Sequence, residues 1–348
     1  MKVFHGLYPK IISLDNIFDS WHEFRNGKRR KVDVQEFERN LENNLFRLQA
    51  DLKNKNYRHS NYTSFYITDP KVRFINKAVV RDRIVHHALY RVLYPIFDET
   101  FIYDSYSCRD DKGTHKAVFR FEKFARSVSK NYSGPCFVLK CDVKKFFASV
   151  NHDILMQLIK KKVKDEDALW LVGEIIDSFG GTRLKNSSSQ MSFDILTPTG
   201  MPIGNLTSQL FANVYLNELD QFVKNKLKIK HYIRYCDDFV FLSTEPNDLK
   251  YICSQVESFL RQELKLELHP QKVSIEKMSQ GVDFLGYITL PHHRLLRTKT
   301  KKRMLKKVSK RNIDSYHGIM KHCNGYGLEQ KVRKIVADQE LKKEDSKL

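Results

Sequence analysis

The sequence predicts a mixed fold of the α/β (α+β) class, in which amphipathic helices accompany antiparallel hairpins. Two runs of apolar and aromatic residues, 136–141 and 232–242, have the composition of β-strands, and two adjacent acids interrupt the second run. Upstream, apolar residues recur at helical spacing over 14–24 and 37–52. A chain of 348 residues is long enough to bury a substantial core and to form two or three subdomains.

The N-terminal region is predicted to contain helices followed by a hairpin. Ser13 is a candidate cap for the first helix, and five Lys or Arg residues lie within 25–31, before the second helix. Strand-like runs at 65–68 and 72–75 then flank a turn signal, and a further helix is expected over about 81–97. The basic run is typical of a solvated loop, with contact to phosphate groups as the alternative.

Two adjacent acids, Asp237 and Asp238, lie within the second strand-like run. Ile233 before them and the apolar residues 239–242 after them indicate two strands, so we expect the acids at the tip of a tight hairpin. Paired carboxylates at a hairpin tip offer oxygen ligands to Mg²⁺, and a solvated turn is the alternative explanation. A second Asp-Asp pair, at 110–111, lies in a polar stretch that is typical of a loop.

A third acid, Asp142, ends the run 136–141 at a point where the chain turns. A helical pattern follows, for which Asn151 is a candidate cap. By itself Asp142 is typical of a turn or cap residue. Together with the hairpin acids it fits a two-metal phosphoryl transfer site, because carboxylates from separate strands must converge to hold two Mg²⁺ ions about 3.5–4 Å apart.

The charge of the chain indicates the class of partner. There are 61 Lys and Arg against 41 Asp and Glu, a formal net charge of +20, which favours an anionic partner. A membrane surface is the alternative to nucleic acid, but the sequence contains no apolar run of about 18 residues and no signal-peptide pattern. The six cysteines include no Cys-X-X-Cys pair, so reduced thiols and a cytoplasmic location are expected.

Taken together, these motifs resemble the successive palm motifs of reverse transcriptases. They are Asp142 with an aromatic residue five positions on, the Tyr-X-Asp-Asp hairpin at 235–238 and the Phe-Leu-Gly-Tyr sequence at 284–287, in that order. Lys-Val-Arg at 71–73 and Arg-Asp-Arg at 81–83 are similar to the fingers motifs of the same family.

The resemblance covers about residues 50–290 and implies a right-hand polymerase fold. It implies N-terminal helices and fingers in residues 1–134, a palm of antiparallel sheet and helices in 135–292, and a short basic helical thumb with a C-terminal tail in 293–348. Within the last region, 294–311 contains ten Lys or Arg and no acid. In the family this position lies along the template and primer duplex, and a solvated helix face is the alternative explanation.

The resemblance also implies a reaction, the attack of a primer 3′-hydroxyl on the α-phosphate of a dNTP with RNA as template. Asp142 and Asp237 are the primary candidate metal ligands, because they come from different strands. Asp238 and the backbone carbonyl of Val143 are further candidates. The expected cofactors are two Mg²⁺ ions, with Mn²⁺ as the alternative metal, and the expected partners are an RNA template, an RNA/DNA primer duplex and dNTPs.

Four residues outside the acids acquire roles from the same resemblance. Arg73 and Arg81 would grip the triphosphate, with surface salt bridging as the alternative. Phe147 would exclude a ribonucleotide 2′-hydroxyl, and a plain core position is the alternative. Lys272 would donate a proton to the leaving pyrophosphate, although a lysine that follows Pro270 in a turn is explained equally well by solvation.

The segment 202–209 narrows the resemblance to one subfamily. Ile203 replaces the glutamine of the common Gln-Gly pair, Gly204 is kept, and Gln209 replaces a proline. This pattern resembles the reverse transcriptases of diversity-generating retroelements, bacterial or phage-encoded enzymes that copy a template-repeat RNA into cDNA with errors at adenines. The three residues become candidates for the dNTP pocket, and the resemblance implies a basic, oligomeric accessory variability protein as a partner.

Two alternatives to this function remain open. A group II intron, retron or defence-associated reverse transcriptase would share the chemistry, and a catalytically idle RNA-binding scaffold would share only the fold. The intact Asp142, Asp237 and Asp238 argue against the scaffold. The polar segment 180–198 is predicted to be an exposed insertion.

Overall fold

The computed structural model describes residues 2–69, 71–180 and 198–345, so the insertion predicted at 180–198 lies almost entirely outside the described residues. Helices and antiparallel strands alternate, which confirms the predicted mixed fold class. The helices are α1 Tyr8–Ile11, α2 Leu14–Arg25, α3 Val32–Glu38, α4 Leu41–Lys53, α5 Val80–Asp98, α6 Thr114–Val128, α7 Phe146–Ser149, α8 His152–Lys160, α9 Glu166–Gly180, α10 Leu206–Gln221, α11 Pro246–Glu263, α12 Thr298–Lys307, α13 Ile313–Met320 and α14 Tyr326–Asp345. The strands are β1 Thr63–Ile67, β2 Arg73–Lys77, β3 Phe137–Asp142, β4 Tyr232–Tyr235, β5 Asp238–Ser243, β6 Ser274–Lys277, β7 Val282–Phe284, β8 Tyr287–Leu290 and β9 His293–Leu296.

These elements group into two compact units. The described residues of the first unit fall within 1–103, 143–227 and 256–269, and those of the second within 104–142, 228–255 and 270–348. The division into fingers, palm and thumb stays a prediction.

Helices α2 and α5 pack against each other in the first unit. Ile17, Trp21 and Phe24 recur every three or four positions along α2 and are buried, so one face of the helix enters the core. The predicted cap is confirmed, because the Ser13 hydroxyl oxygen accepts a hydrogen bond from the Asn16 N–H at 3.2 Å. This bond satisfies one of the donors that the first helical turn leaves unpaired.

The second predicted helix is in fact two helices. The apolar spacing over 37–52 is compatible with one continuous helix, but α3 ends at Glu38 and α4 begins at Leu41. Asn40 has φ −128° and ψ 44°, outside the helical region, and the Asn44 side chain donates to the carbonyl of Phe37 at 3.0 Å. Asparagine side chains compete with helical backbone bonding in this way, and the apolar pattern alone does not reveal it.

Strands β1 and β2 form the hairpin predicted near 65–75. They pair antiparallel with Tyr66 opposite Phe74, and all five residues of β1 are exposed. Arg73 begins β2 and is exposed as well. The Asn76 N–H donates to the backbone carbonyl of Ile203 at 3.2 Å, which ties the end of β2 to the segment before α10.

A buried chain of hydrogen bonds joins α5 to the first turn of α10. Nδ1 of His59 lies 2.7 Å from the carbonyl oxygen of Ser60, the two Nε2 atoms of His59 and His86 are 3.1 Å apart, and Nδ1 of His86 lies 2.6 Å from the Thr207 hydroxyl. A carbonyl only accepts, so Nδ1 of His59 carries a hydrogen. The Thr207 hydroxyl and Nδ1 of His86 share one hydrogen bond, in which either atom can be the donor. Burial and the neighbouring His59 hold the pKa of His86 well below its usual value, which keeps that ring neutral.

The second unit contains two antiparallel sheets. The larger sheet has the strand order β4-β5-β3-β6, and the smaller has the order β7-β8-β9. Phe121 of α6 packs with Val138 of β3, Val240 of β5 and Phe284 of β7 in one buried core. The strands that carry the three acids are therefore supported from the apolar side by a helix.

We expect Thr207→Val to lower the free energy of unfolding by about 1–3 kcal/mol, because it leaves a buried ring nitrogen of His86 without its hydrogen-bond partner. Thr207→Ser, the matched control, keeps the hydroxyl and should cost less. Urea denaturation followed by far-UV circular dichroism measures both. Equal stability of Thr207→Val and the wild type would show that the hydrogen bond between Thr207 and His86 does not stabilise the fold.

Candidate active site

Pairing of β3 with β5 brings two of the three acids side by side. Asp142, the last residue of β3, lies directly opposite Asp238, the first residue of β5. Tyr235 at the end of β4 also pairs with Asp238, which leaves Cys236 and Asp237 as a two-residue turn. The acids thus lie at the tip of a tight hairpin, as predicted. Cys236 adopts φ +56°, a left-handed conformation that tight hairpin turns require.

The proximity of the acids raises the pKa values of Asp237 and Asp238. Loss of hydration, followed by the Asp142 carboxylate, raises the pKa of Asp237 above its usual value. Asp238 is an exposed residue, but its carboxyl group forms a hydrogen bond with the carboxyl group of Asp142. Loss of hydration, the charge of Asp237 and a hydrogen bond with Asp142 raise the pKa of Asp238 to about 7. Like charges held this close disfavour full ionisation, and a bound cation would relieve that repulsion.

Lys272 places a positive charge against Asp142. Its ammonium group donates to Oδ1 and Oδ2 of Asp142, each at 2.8 Å. The lysine lies in the turn before β6, separated from Asp142 by 130 residues of sequence. The structure therefore brings Lys272 into the acid cluster, whereas its role as a proton donor stays a prediction.

The acids fit a divalent cation in donor chemistry, since carboxylate oxygens are the ligands that Mg²⁺ prefers. Within residues 2–69, 71–180 and 198–345, however, no group of three or more His, Cys, Asp or Glu side chains already has the arrangement of a metal site. Lys272 and Asp238 both engage the Asp142 carboxyl instead. A cation would have to displace the lysine and complete its ligand set with water or phosphate oxygens.

The residues assigned to the nucleotide pocket all belong to the first unit. Arg81 forms an ion pair with Asp51 at 2.8 Å and stacks over the ring of Tyr57 at 4.8 Å. The salt bridge that sequence reasoning offered as the alternative is therefore present, and a triphosphate would have to compete with Asp51 for this guanidinium. Arg73 stands exposed at the start of β2, which leaves it accessible to solvent and ligand.

Phe147 and its neighbour Phe146 differ in burial. Phe146 is 1 % exposed, whereas Phe147 is half-buried and contacts it edge-on at 5.3 Å. The carbonyl of Phe147 accepts a hydrogen bond from the Met201 N–H, which positions the start of segment 202–209 beside this helix. The predicted cap is also confirmed here, since the Asn151 side chain accepts from the Ile154 N–H at 3.0 Å.

Segment 202–209 contains the remaining predicted pocket residues. Ile203 is half-buried, and Gln209 is exposed in the first turn of α10. Gly204 has φ +119°, and a Cβ atom there would lie 3.2 Å from Cγ2 of Ile75, so the position requires glycine on two grounds. Val143, whose carbonyl is a candidate metal ligand, has a buried side chain. Its backbone forms an isolated antiparallel bridge with Leu268.

The basic stretch at 294–311 is only partly a free surface. Arg294 is buried and paired with Glu122, and Arg297 is paired with Asp283. The lysines of α12 at positions 301, 302, 306 and 307 are exposed.

Among the described helices, none is both long and apolar enough to cross a membrane.

Sequence reasoning did not single out Arg234. This residue is one of the largest fully buried side chains and lies in β4, two positions before the turn. The signal that was present is a charged residue inside a run of otherwise apolar and aromatic strand residues.

Comparison with known proteins identifies a family. The family profile described as reverse transcriptase (RNA-dependent DNA polymerase) matches residues 63–289. Among curated proteins, the group II intron-encoded protein LtrA of Lactococcus lactis subsp. cremoris is 24 % identical, over 79 % of this chain and 53 % of the relative. Protein YkfC of Escherichia coli is 25 % identical, over 66 % of this chain and 65 % of the relative. Nuclear intron maturase 1 of Arabidopsis thaliana is 23 % identical, over 63 % of this chain and 42 % of the relative.

The comparison of structures agrees on the fold. An apo telomerase from Candida tropicalis, truncated from the C-terminal domain, superposes with a TM-score of 0.50 at 14 % identity, over 69 % of this chain and 55 % of that chain. The likeness supports the predicted polymerase fold class. LtrA aligns with 79 % of this chain, and the chain spans about half the length of LtrA.

We expect divalent-cation affinity to rise about tenfold from pH 6 to pH 8 and then to level off. Asp238 has a pKa of about 7 and must lose its proton before it can bind a cation, so acid competes with metal below pH 7. Electron paramagnetic resonance of free Mn²⁺ measures the affinity at each pH. Asp238→Asn should bind Mn²⁺ more weakly and without pH dependence. Asp111→Asn, in the exposed second Asp-Asp pair, should keep the wild-type affinity and the wild-type pH dependence. A flat wild-type profile would contradict the expectation that deprotonation of Asp238 near pH 7 limits cation binding.

Proposed function

Because this chain belongs to the reverse transcriptase (RNA-dependent DNA polymerase) family, we propose that it extends a primer by copying an RNA template into DNA. The observation that carries the proposal is the meeting of Asp142 with Asp238, beside Asp237, at the paired ends of two strands. A retired scaffold has no reason to maintain mutually repelling acids, since they destabilise the folded chain unless a cation neutralises them.

The acids would hold the metal ions of the reaction. Asp142 and Asp237 would be shared by two Mg²⁺ ions, or two Mn²⁺ ions, with Asp238 and the Val143 carbonyl as further ligands. When bound, such ions supply the positive charge that stabilises the attacking and leaving oxygens of a phosphoryl transfer. The primer 3′-hydroxyl releases its proton to solvent water, its oxygen forms a bond to the α-phosphorus of the dNTP, and the bond between that phosphorus and pyrophosphate breaks.

The other residues of the proposed site bind and orient the nucleotide. Arg73 and Arg81 hold triphosphate oxygens with paired donors, and Phe147 excludes a 2′-hydroxyl from the sugar site. Lys272, once displaced from Asp142, is free to give a proton to the departing pyrophosphate.

We propose further that the enzyme is the error-prone reverse transcriptase of a diversity-generating retroelement, which makes mutagenised cDNA from a template-repeat RNA. Ile203 supports this assignment, because an isoleucine side chain offers shape and apolar contact but no hydrogen bond to the incoming sugar or base. A pocket without polar constraints discriminates less strongly against misfits. Such an enzyme works with a basic oligomeric accessory variability protein in the cytoplasm of a bacterium.

A group II intron-type reverse transcriptase is the second candidate. It is favoured by the names of two relatives, a group II intron-encoded protein and a nuclear intron maturase. The two candidates share the proposed chemistry and differ in the template. A nearby pair of DNA repeats that differ mainly at adenines would identify the retroelement, and flanking intron RNA would identify the intron.

Asp237→Asn should lower Mg²⁺-dependent dNTP incorporation by on the order of 10³-fold, because a lost metal ligand removes several kcal/mol of transition-state stabilisation. RNA binding should remain, since basic surfaces dominate that affinity. Primer extension and filter binding measure the two effects, with Asp111→Asn as the matched exposed-acid control. Primer extension by Asp237→Asn near the wild-type rate would refute the proposed site.

Neutralising the exposed lysines of α12 should weaken binding to a primer–template duplex and flatten its salt dependence. With four phosphate contacts removed, the slope of log K against log salt should fall by about 3. The variant is Lys301→Gln, Lys302→Gln, Lys306→Gln and Lys307→Gln combined.

Its control removes the same charge from exposed lysines elsewhere, namely Lys53, Lys160, Lys164 and Lys250. Equal slopes for the two quadruple variants would place α12 away from the nucleic acid.

Ile203→Gln should reduce misincorporation opposite template adenine roughly two- to tenfold, because added hydrogen bonding penalises misaligned sugars and bases. Ile203→Leu keeps an apolar side chain of equal size and should keep the error frequency. Sequencing cDNA made on one RNA template decides between them. If Ile203→Gln and Ile203→Leu make adenine errors at the same frequency, Ile203 marks the subfamily without causing its infidelity.

A further inference from the structure

Arg234 is a buried cation next to the turn that carries the acids. Its exposed fraction is 0 %, and it lies in β4 between the buried Ile233 and the turn at 236–237. A guanidinium stays protonated in proteins, so this strand carries a fixed positive charge inside the unit. Burying a charge is unfavourable unless its donors are satisfied, and the partners of Arg234 therefore indicate what it does.

One branch of the guanidinium bonds the turn itself. Nη1 of Arg234 donates to the backbone carbonyl of Cys236 at 3.2 Å. Cys236 is the residue with φ +56°, a conformation that is uncommon for a residue with a Cβ atom. A charge-assisted bond to its carbonyl stabilises the turn in the conformation that precedes Asp237.

The other branch anchors the same guanidinium to a separate segment. Nη2 donates to the Ser105 hydroxyl at 3.0 Å, and Ser105 is fully buried. The backbones of the two residues are also bridged, because Arg234 N–H donates to the Asp104 carbonyl at 3.0 Å and Tyr106 N–H donates to the Arg234 carbonyl at 2.9 Å. Arg234 is thereby held at a fixed point from which its planar fork reaches the turn.

The hairpin has a second anchor that avoids the turn. The Thr114 hydroxyl donates to the Tyr235 hydroxyl at 3.1 Å. Removing this contact would loosen the hairpin without touching the Cys236 carbonyl, so it provides a matched comparison.

We propose that Arg234 is a positioning residue of the metal site, which clamps the Cys236 carbonyl and so holds Asp237 and Asp238 beside Asp142. The proposal rests on the proposed function, in which these acids bind divalent cations. In this proposal, two separate interactions determine the geometry of the hairpin. The strand pairing sets which residues are opposite one another, and the Arg234 fork sets the direction of the turn.

The test compares Arg234→Met with Arg234→Lys. Methionine fills a similar volume without charge or donors, but it leaves the Cys236 carbonyl and the Ser105 hydroxyl without this partner, so far-UV circular dichroism must first show that the variant folds. Lysine keeps the charge and can reach one acceptor, but it lacks the planar fork. Mn²⁺ binding, measured by electron paramagnetic resonance in the absence of substrate, gives a readout separate from catalysis.

We expect Arg234→Met to raise the Mn²⁺ dissociation constant at least tenfold and to lower kcat with little change in the dNTP KM. Arg234→Lys should restore part of the affinity, and Thr114→Val should bind Mn²⁺ within twofold of the wild type. A folded Arg234→Met protein with wild-type Mn²⁺ affinity would overturn the proposal.

Ser105→Ala carries the same test if Arg234→Met does not fold, because it removes the anchor of one branch only. We expect a two- to fivefold weaker Mn²⁺ affinity, and unchanged affinity in both Ser105→Ala and Arg234→Lys would overturn the proposal. The Asp237→Asn variant distinguishes failure of the proposed function from failure of the positioning role. If Asp237→Asn still extends primers, the proposed function fails. If Asp237→Asn loses primer extension but the Arg234 variants bind Mn²⁺ like the wild type, only the positioning role is refuted.

Discussion

The antiparallel register of β3 and β5 is the constraint on which the candidate site depends. It places Asp142 opposite Asp238 with Val138 opposite Leu242 on the same ladder, so burying the apolar partners also fixes the acidic ones. Side chains alternate between faces along a strand, and a slip of one residue would turn Phe239 outward and send the acid to the opposite face. The hydrophobic core of the second unit therefore selects the geometry of the acids.

That geometry concentrates negative charge in a chain whose formal net charge is +20. Loss of hydration and mutual repulsion raise the pKa values of Asp237 and Asp238, and Lys272 neutralises Asp142. The cluster is thus balanced by a displaceable ammonium group on one side, and the turn is held by the buried guanidinium of Arg234 on the other. A lysine and an arginine suit these two tasks, because an ammonium is a mobile point charge and a guanidinium is a rigid fork.

The first unit solves a different problem with buried polar groups. The chain from His59 through His86 to Thr207 gives each of these buried groups a hydrogen-bond partner. Fully satisfied networks of this kind favour a single packing arrangement. The segment that contains Ile203 is bonded to β2 through its backbone and leads directly into Thr207. Its main chain is therefore held in place while the Ile203 side chain stays without polar constraint.

The sequence by itself determined the features that depend on near neighbours. Apolar and aromatic runs located β3, β4 and β5, helical spacing located α2, and the caps Ser13 and Asn151 bond within three residues of themselves. The acidic hairpin was predictable because turn and strands are contiguous. The family motifs were visible for the same reason.

Only the tertiary structure decided the pairings between distant segments. Lys272 reaches Asp142 across 130 residues, His86 meets Thr207 across 121, and Ser105 meets Arg234 across 129. Composition and spacing give each of these residues several possible partners. Which one it meets depends on how helices and sheets pack, and that arrangement is set by the burial of apolar surface from the whole unit. The break between α3 and α4 is local, since the Asn44 side chain donates to the Phe37 carbonyl, but the apolar period runs through Asn40 and does not reveal the interruption.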